Sequence, residues 1–176
     1  MDNFTQICIY GEFFMQIELD AIDRQLLSAL QDNARLTTHE LAQATGLSQS
    51  PCWRRIRRLE ESGLIDGYRA RLDRRKLGYG VVAFVGITID HQNVARNNAF
   101  VDAVQAIAEV VMFHAVTGSA DFLLMVVAED LDSYSRLLQD KLHRLPGVQQ
   151  VQTNVSLQEF KAFQNLPIPG ASKPRP

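Results

Sequence analysis

Two short apolar-patterned segments, separated by only Gly46-Leu47-Ser48, constrain the fold of this chain more than any other feature. The first opens at Thr37, with Glu40 three residues on. That spacing lets a hydroxyl and a carboxylate satisfy each other's backbone N–H groups at a helix start. Leu41, Ala42 and Ala44 carry the helix to Gly46. The second segment takes Ser48 or Ser50 as its cap and tolerates Pro51 in its first turn. It runs to Gly63, a residue suited to left-handed backbone just past a helix end. Upstream, Ile22, Leu26, Leu27 and Leu30 recur at the spacing of one helix face, and Gln31–Leu36 breaks the pattern. Three short helices, the last two joined by a tight glycine turn, make a helix-turn-helix.

The third helix divides its residues cleanly. Cys52, Ile56 and Leu59 lie four and three apart and share the face that packs on the other two helices. Gln49, Ser50, Trp53, Arg54, Arg57 and Arg58 then point outward. Residues near the start of the second helix of such a motif reach base edges in the major groove, and flanking groups hold phosphates. Arginine pairs with guanine and glutamine with adenine, while Ser50 and the helix-start N–H groups suit a phosphate oxygen. Arg54 and Arg57 are the strongest candidates. Arg55 and Arg58 are also compatible with simple solvation, Trp53 equally with packing on a neighbour, and Cys52 reads as a small core residue rather than a reactive thiol or a metal ligand.

Beyond Gly63 the period changes. Leu64–Arg75 alternates and reads as a short strand and connector. Val81–Ile89 reads as a strand and Val94–Ile107 as an amphipathic helix. Val110–Thr117 and Phe122–Ala128 read as strands around Gly118-Ser119-Ala120-Asp121, Leu131–Leu145 as a second helix, and Val148–Phe160 as a last strand. The order βαββαβ is the ferredoxin-like unit. Two helices cover one face of such a sheet, yet Val81–Ile89 and Phe122–Ala128 are almost wholly apolar. Apolar residues on both faces predict a second copy of the chain against the uncovered one.

Charge and composition narrow the function class. The chain of 176 residues has a formal net charge of −2, but the charge is uneven. Met15–Gly80 carries eleven Arg and Lys against nine Asp and Glu, and Val81 onward seven against nine. The positive excess gathers at Arg54, Arg55, Arg57 and Arg58, and local potential rather than net charge attracts a polyanion. No apolar run approaches the ~20 residues that span a bilayer, and no basic, apolar, cleavable leader opens the chain. Cys8 and Cys52 are too few for a disulfide framework. These features predict a cytoplasmic protein without a membrane partner. His39, His91, His114 and His143 are scattered without metal-ligand spacing, and no glycine-rich phosphate loop is present. Neither catalysis nor a cofactor or metal is expected.

The run from Leu19 to Asp73 resembles the DNA-binding domain of the leucine-responsive/asparagine regulator (Lrp/AsnC) family. The likeness rests on Leu19-Asp20…Asp23, Gly46-Leu47-Ser48, Pro51-Cys52, Arg57-Arg58-Leu59-Glu60 and Gly63…Ile65…Gly67-Tyr68. The βαββαβ half is similar to that family's amino-acid regulatory domain. The resemblance implies an α+β chain: an N-terminal three-helix winged helix-turn-helix domain plus a C-terminal ferredoxin-like domain. Residues 1–16 form a mobile extension and 17–63 the helix-turn-helix domain, its motif at about 38–57. Residues 64–80 form a strand and linker, 81–165 the effector and assembly domain, and 166–176 a proline-rich tail. It also implies three partners: double-stranded DNA, an amino acid or derivative held between dimers, and other copies of the chain in dimers that build tetramers or octamers.

In the family the effector meets the loop between the second and third strands of the sheet, which typically reads Gly-Asp-aromatic-Asp. Here Gly118 and Asp121 match, while Ser119 replaces a carboxylate and Ala120 a ring. Glycine lets backbone approach a ligand closely, and a retained carboxylate can pair with an ammonium. The loss of a charge and a ring predicts a roomier, less acidic pocket, for a larger amino acid or a weak response. The same four residues also suit a plain hairpin turn. Tyr134 and Leu137 are lesser candidates for the pocket wall and equally good core residues. The rival to a sensing regulator is an architectural protein that coats DNA with little sequence preference.

Overall fold

The computed structural model describes residues 17–90, 94–162 and 165–170. The expected N-terminal extension, His91 and the end of the proline-rich tail lie outside the described residues. The chain divides into two compact units. Among the described residues, one holds Ile17–Arg71 together with the segment from Lys161 on, and the other holds Leu72–Phe160.

In the first unit, α1 (Ala21–Asp32) begins at Asp20, whose carboxylate accepts from the Asp23 N–H at 2.8 Å. Asp23 returns the bond to the Asp20 N–H at 3.2 Å. A capping box thus forms with aspartate at both ends. The box expected at α2 (Thr38–Thr45) is present: the Glu40 N–H donates to Thr37 and the Thr37 N–H to Glu40, at 3.3 and 2.7 Å. Gly46 takes φ +69°, and the Leu47 N–H then donates to the Ala42 carbonyl at 2.9 Å. This left-handed residue is what turns the chain sharply enough to start α3 (Gln49–Glu61) only three residues later. Ser48 is the cap residue of α3, although its hydroxyl makes no capping bond.

Leu26, Leu30, Leu41, Ala42, Cys52, Ile56 and Leu59 are buried between the three helices, with Ile22, Leu36, Leu47 and Ile65 at the margin. Each large aliphatic side chain so buried contributes roughly 1.5–3 kcal/mol. The expected strand after α3 does not form. Among the described residues no strand lies between Leu64 and Gly80. Alternation makes a strand only where a neighbouring strand takes up the backbone groups, and this segment lacks one. The described start of the proline-rich C-terminal segment is bonded to this unit. Asn165 donates to Asp32 at 2.6 Å, Leu166 is bonded to Gln31, and Arg24 donates to the Pro169 carbonyl at 2.8 Å.

The second unit is β1 (Val81–Ile89), α4 (Val94–Gln105), β2 (Val110–Ala115), β3 (Phe122–Ala128), α5 (Leu131–Asp140), a 3-10 turn (Leu142–Arg144) and β4 (Val148–Val155). The sheet order is β2-β3-β1-β4, with every pair antiparallel. Val85 sits opposite Leu124 on one side and Thr153 on the other. The inner residues Ala83, Val85, Ile87, Leu124 and Val126 meet Phe100, Val104, Tyr134, Leu137 and Leu142 in one core. Phe100, Phe113 and Phe122 stack within it, with ring centroids 4.9–6.0 Å apart.

Four expected elements are shorter than the pattern suggests: α4 and β2 each end two residues early, and two others end five residues early. The helix from Leu131 stops at Asp140 and tightens into the 3-10 turn, which keeps Leu142 fully buried just before Pro146-Gly147 feeds β4. Strand β4 ends at Val155 rather than Phe160, because its partner β1 begins at Val81 and the last bond is from the Ser156 N–H to the Val82 carbonyl. Leu157 and Phe160 consequently stand in solvent.

Among the described residues no helix covers Val82, Phe84, Leu123, Met125 and Met112 on the other face of the sheet. Phe84 lies opposite Met125 and Asn154. The apolar patch is bordered on the β4 side by Gln150, Gln152 and Asn154. Among the described residues, no helix is long and apolar enough to cross a membrane.

A candidate DNA-reading helix and effector loop

Helix α3 presents the division that its spacing predicts. Cys52 and Leu59 are fully buried and Ile56 nearly so, while Gln49, Ser50, Trp53, Arg54, Arg57 and Arg58 all lie on the exposed side. Burial pushes the Cys52 thiol up, away from thiolate chemistry. The exposed side chains are not alike. Arg54 has no ion pair or hydrogen bond among the described residues. The Arg57 guanidinium sits 5.7 Å from the centre of the Trp53 ring, a cation–π distance, and also approaches Glu61 at 3.4 Å.

Arg55 and Arg58, for which solvation was one expectation, reach back to α1 instead. Arg55 donates to Asp20 at 2.6 Å and to Asp23 at 2.9 Å, and Arg58 donates to the other Asp23 oxygen. The Asp23 N–H and the Arg55 guanidinium together hold the Asp20 carboxyl below its ordinary value. At the start of α3, Gln49 and His39 of α2 are joined by a 2.9 Å hydrogen bond.

His39, Asp20 and Asp23 were not among the expected site residues. The signal for His39 is only that the first turns of two helices joined by a three-residue turn come close. The signal for the aspartates is subtler: Asp23 occupies a position on the buried face of α1, where a carboxylate needs a cationic partner.

The loop between β2 and β3 is a tight turn, with Gly118 at φ +122°. The Val116 N–H donates to the Asp121 carbonyl at 2.9 Å, and the Asp121 N–H donates to the Ile87 carbonyl at 3.0 Å. The Asp121 carboxylate accepts from the Ile89 N–H at 2.9 Å. Asp121 therefore fastens the loop to the end of β1. Ala120 lies over Gly86 so closely that a Cβ there would be 3.2 Å from the Ala120 Cβ. Gly86 alternates with the buried Val85 and Ile87, so Ala120 sits on the face of the sheet that the helices leave open. Ser119 is exposed.

Tyr134 and Leu137 are not brought to this loop. Both are buried in the core on the helix-covered face, and the Tyr134 hydroxyl is 2.6 Å from Thr153. Burial raises the Tyr134 hydroxyl above its ordinary value. The edge of Leu137 lines a shallow cleft of about 520 Å³ with Tyr79, Glu109, Val127, Arg136 and Lys141. That cleft is at the Ala128 end of β3, whereas the loop is at the Phe122 end. Among the described residues no three His, Cys, Asp or Glu side chains gather as a metal site requires.

Comparison with known proteins bears on both halves. Residues 19–66 match the family model described as winged helix-turn-helix DNA-binding, and residues 82–166 match the model of the Lrp/AsnC ligand-binding domain. The leucine-responsive regulatory protein of Rhizobium meliloti is 41% identical over 147 residues, which cover 84% of this chain and 94% of that protein. The leucine-responsive regulatory protein of Escherichia coli strain K12 is 39% identical over 151 residues, or 86% and 92% of the two chains. Among solved structures, a Neisseria meningitidis transcriptional regulator in complex with L-Met superposes with a TM-score of 0.82 at 35% identity. It covers 85% of this chain and 97% of its own. Escherichia coli AsnC superposes with a TM-score of 0.78 at 26% identity, covering 85% and 99%. With both of its units matched in chain order and by relatives of nearly full length, this chain belongs to the Lrp/AsnC family of DNA-binding transcriptional regulators.

Proposed function

We propose that α3 reads the major groove through Gln49, Ser50, Trp53, Arg54 and Arg57, and that Arg58 serves chiefly to dock the helix. The observation that carries this reading is the contrast within α3. The triad Cys52, Ile56 and Leu59 is buried, while Arg54 on the opposite side has no protein partner among the described residues. An unengaged guanidinium near a helix start is free to take guanine O6 and N7. Replacement of Arg54 or Arg57 by Ala should weaken operator binding, and a base contact should cost ~1–3 kcal/mol and relax preference at one base position. Unchanged operator affinity in both variants would refute the assignment.

The open sheet face, with Phe84, Leu123 and Met125 at its centre, is the surface on which copies of the chain associate. The loop Gly118–Asp121 at the rim of that face is the effector site, and the effector is a free amino acid or a derivative. A Neisseria meningitidis relative carries L-Met, which supports this chemistry. Gly118 would admit the ligand's backbone-like groups closely, and Ser119 and Ala120 leave room for a side chain. Tyr134 and Leu137 support the sheet from the other side. A thermal-shift screen of the twenty amino acids and their derivatives tests the effector, since a ligand bound only by the folded form raises its melting temperature.

One observation favours the architectural reading. The Asp121 carboxylate already accepts from the Ile89 N–H, which diminishes its capacity to pair with an ammonium. Absence of a shift with any compound, together with equal affinity for unrelated duplexes, would support a DNA-coating role with little effector response.

A further inference from the structure

A polyanion attracts all four arginines of α3, yet the structure separates them into two pairs. Among the described residues Arg54 has no hydrogen-bond or ion-pair partner, and the charged partners of Arg57, Glu60 and Glu61, lie on its own helix. Arg55 and Arg58 are bound to Asp23, which is 1% exposed and the only buried charged side chain among the described residues. Both Asp23 oxygens are committed: one to Arg55, the other to Arg58 and the Asp20 N–H. Asp20 takes a second bond from Arg55. Two carboxylates thus face two guanidiniums, and the quartet has no net formal charge. Moving either arginine to a phosphate would strip the buried Asp23 carboxylate of one of its two counterions, and moving both would leave it uncompensated, which costs far more than a surface pair returns.

We propose that Asp23, seconded by Asp20, is a specificity-determining positioning residue that withholds Arg55 and Arg58 from the DNA backbone. This rests on α3 being the helix that meets DNA. Phosphate contacts add affinity for any sequence, whereas base contacts discriminate. A reading helix with four available arginines would bind every duplex well. Neutralising two of them from behind lowers the common, salt-sensitive term and leaves the discriminating one to Arg54 and Arg57. The same bonds fix the rotation of α3 on α1, so the face that carries Arg54 is presented at one angle.

The test uses the full chain and a fluorescent 30-base-pair duplex of unrelated sequence, titrated between 50 and 200 mM KCl. Asp23→Asn keeps the side-chain size and removes the charge. Its binding should become steeper in salt by up to about 1.8 in log–log slope, two contacts at ~0.9 each, which is roughly a tenfold larger loss across that range. Its preference for an operator over the unrelated duplex should fall. Adding Arg55→Gln to Asp23→Asn should take back about half of the added slope. If Asp23→Asn does not fold, Asp20→Asn keeps a good helix cap and should give a smaller steepening of the same sign. Arg54→Gln is the control. If it changes neither affinity nor slope, the placement of α3 on DNA is what fails. If it weakens binding while a folded Asp23→Asn, or Asp20→Asn in its stead, has an unchanged or shallower slope, the role of Asp23 is overturned on its own.

Discussion

The side-chain amide of Gln31 closes on both ends of one residue, accepting from the Leu166 N–H at 2.7 Å and donating to the Leu166 carbonyl at 3.1 Å. The pairing imitates what a neighbouring strand would offer, and it joins positions 135 residues apart. Gln31→Ala should release the segment Asn165–Gly170 from α1. Each bond is exposed, so the loss should be at the low end of the usual range, about 0.5–1.5 kcal/mol in all. Urea denaturation followed by Trp53 fluorescence measures it, and faster hydrogen exchange at the Leu166 amide identifies the cause.

Asp121 should be needed for the loop before it is needed for a ligand. Asp121→Ala removes the acceptor of the Ile89 N–H, and a bond to a carboxylate at a half-buried site is worth ~1.5–3 kcal/mol. Hydrogen exchange should accelerate at Ile89, and any amino-acid-induced change in DNA binding should vanish. Basal DNA binding should stay intact, because the loop belongs to the other unit. Retained protection at Ile89 would show that the loop is held by other bonds.

Phe84 stands half open at the centre of the uncovered sheet face. Phe84→Lys should disrupt association. An interface ring contributes roughly 2 kcal/mol, and in a two-fold dimer it counts twice, so the dissociation constant should rise by about a thousandfold. The expected direction is a weaker dimer, and sedimentation velocity across a dilution series reads it. An unchanged sedimentation profile would place the self-association elsewhere.

Acid should loosen the helix-turn-helix through its caps. Accepting from the Thr37 N–H and then from the Thr37 hydroxyl holds the Glu40 carboxyl below its ordinary value. Its stabilising effect is therefore fully present above the ordinary value and is lost as pH falls through the depressed one. Asp20 and Asp130 share the direction, each through the N–H of the helix it caps. Glu40→Gln should be less stable than the parent at neutral pH but lose less on acidification between about pH 5 and pH 3. Parallel acid titrations of the two proteins would refute this.

The elements that local chemistry specifies were the legible ones. The Thr37–Glu40 box, the Gly46 turn, the buried triad of α3 and the extents of β1 and β3 follow from spacing alone. The errors lie where a distant partner decides. Leu64–Arg75 alternates like a strand, but strand formation depends on a neighbour that no local pattern reveals. Val148–Phe160 stays strand-like in composition past Val155, yet the length of β1 sets where pairing stops. Spacing ranks Arg54 and Arg57 ahead of Arg55 and Arg58 for DNA, but it does not reveal that the latter two are held by a carboxylate. That carboxylate is Asp23, thirty-odd residues earlier. Tyr134 and Leu137 show the same limit from the other side, since a helical period cannot say which face of the sheet the helix will cover.

The return of Asn165–Gly170 to α1 also orders events in time. A ribosome adding roughly 5–20 residues per second needs on the order of ten seconds to pass from Gln31 to Leu166. During that interval the three helices can emerge and collapse, but the side chains of Arg24, Gln31 and Asp32 wait for partners not yet made. A nascent chain could therefore hold a formed reading helix well before its DNA-binding unit is whole, and chains cut short after β4 would carry that unfinished unit permanently.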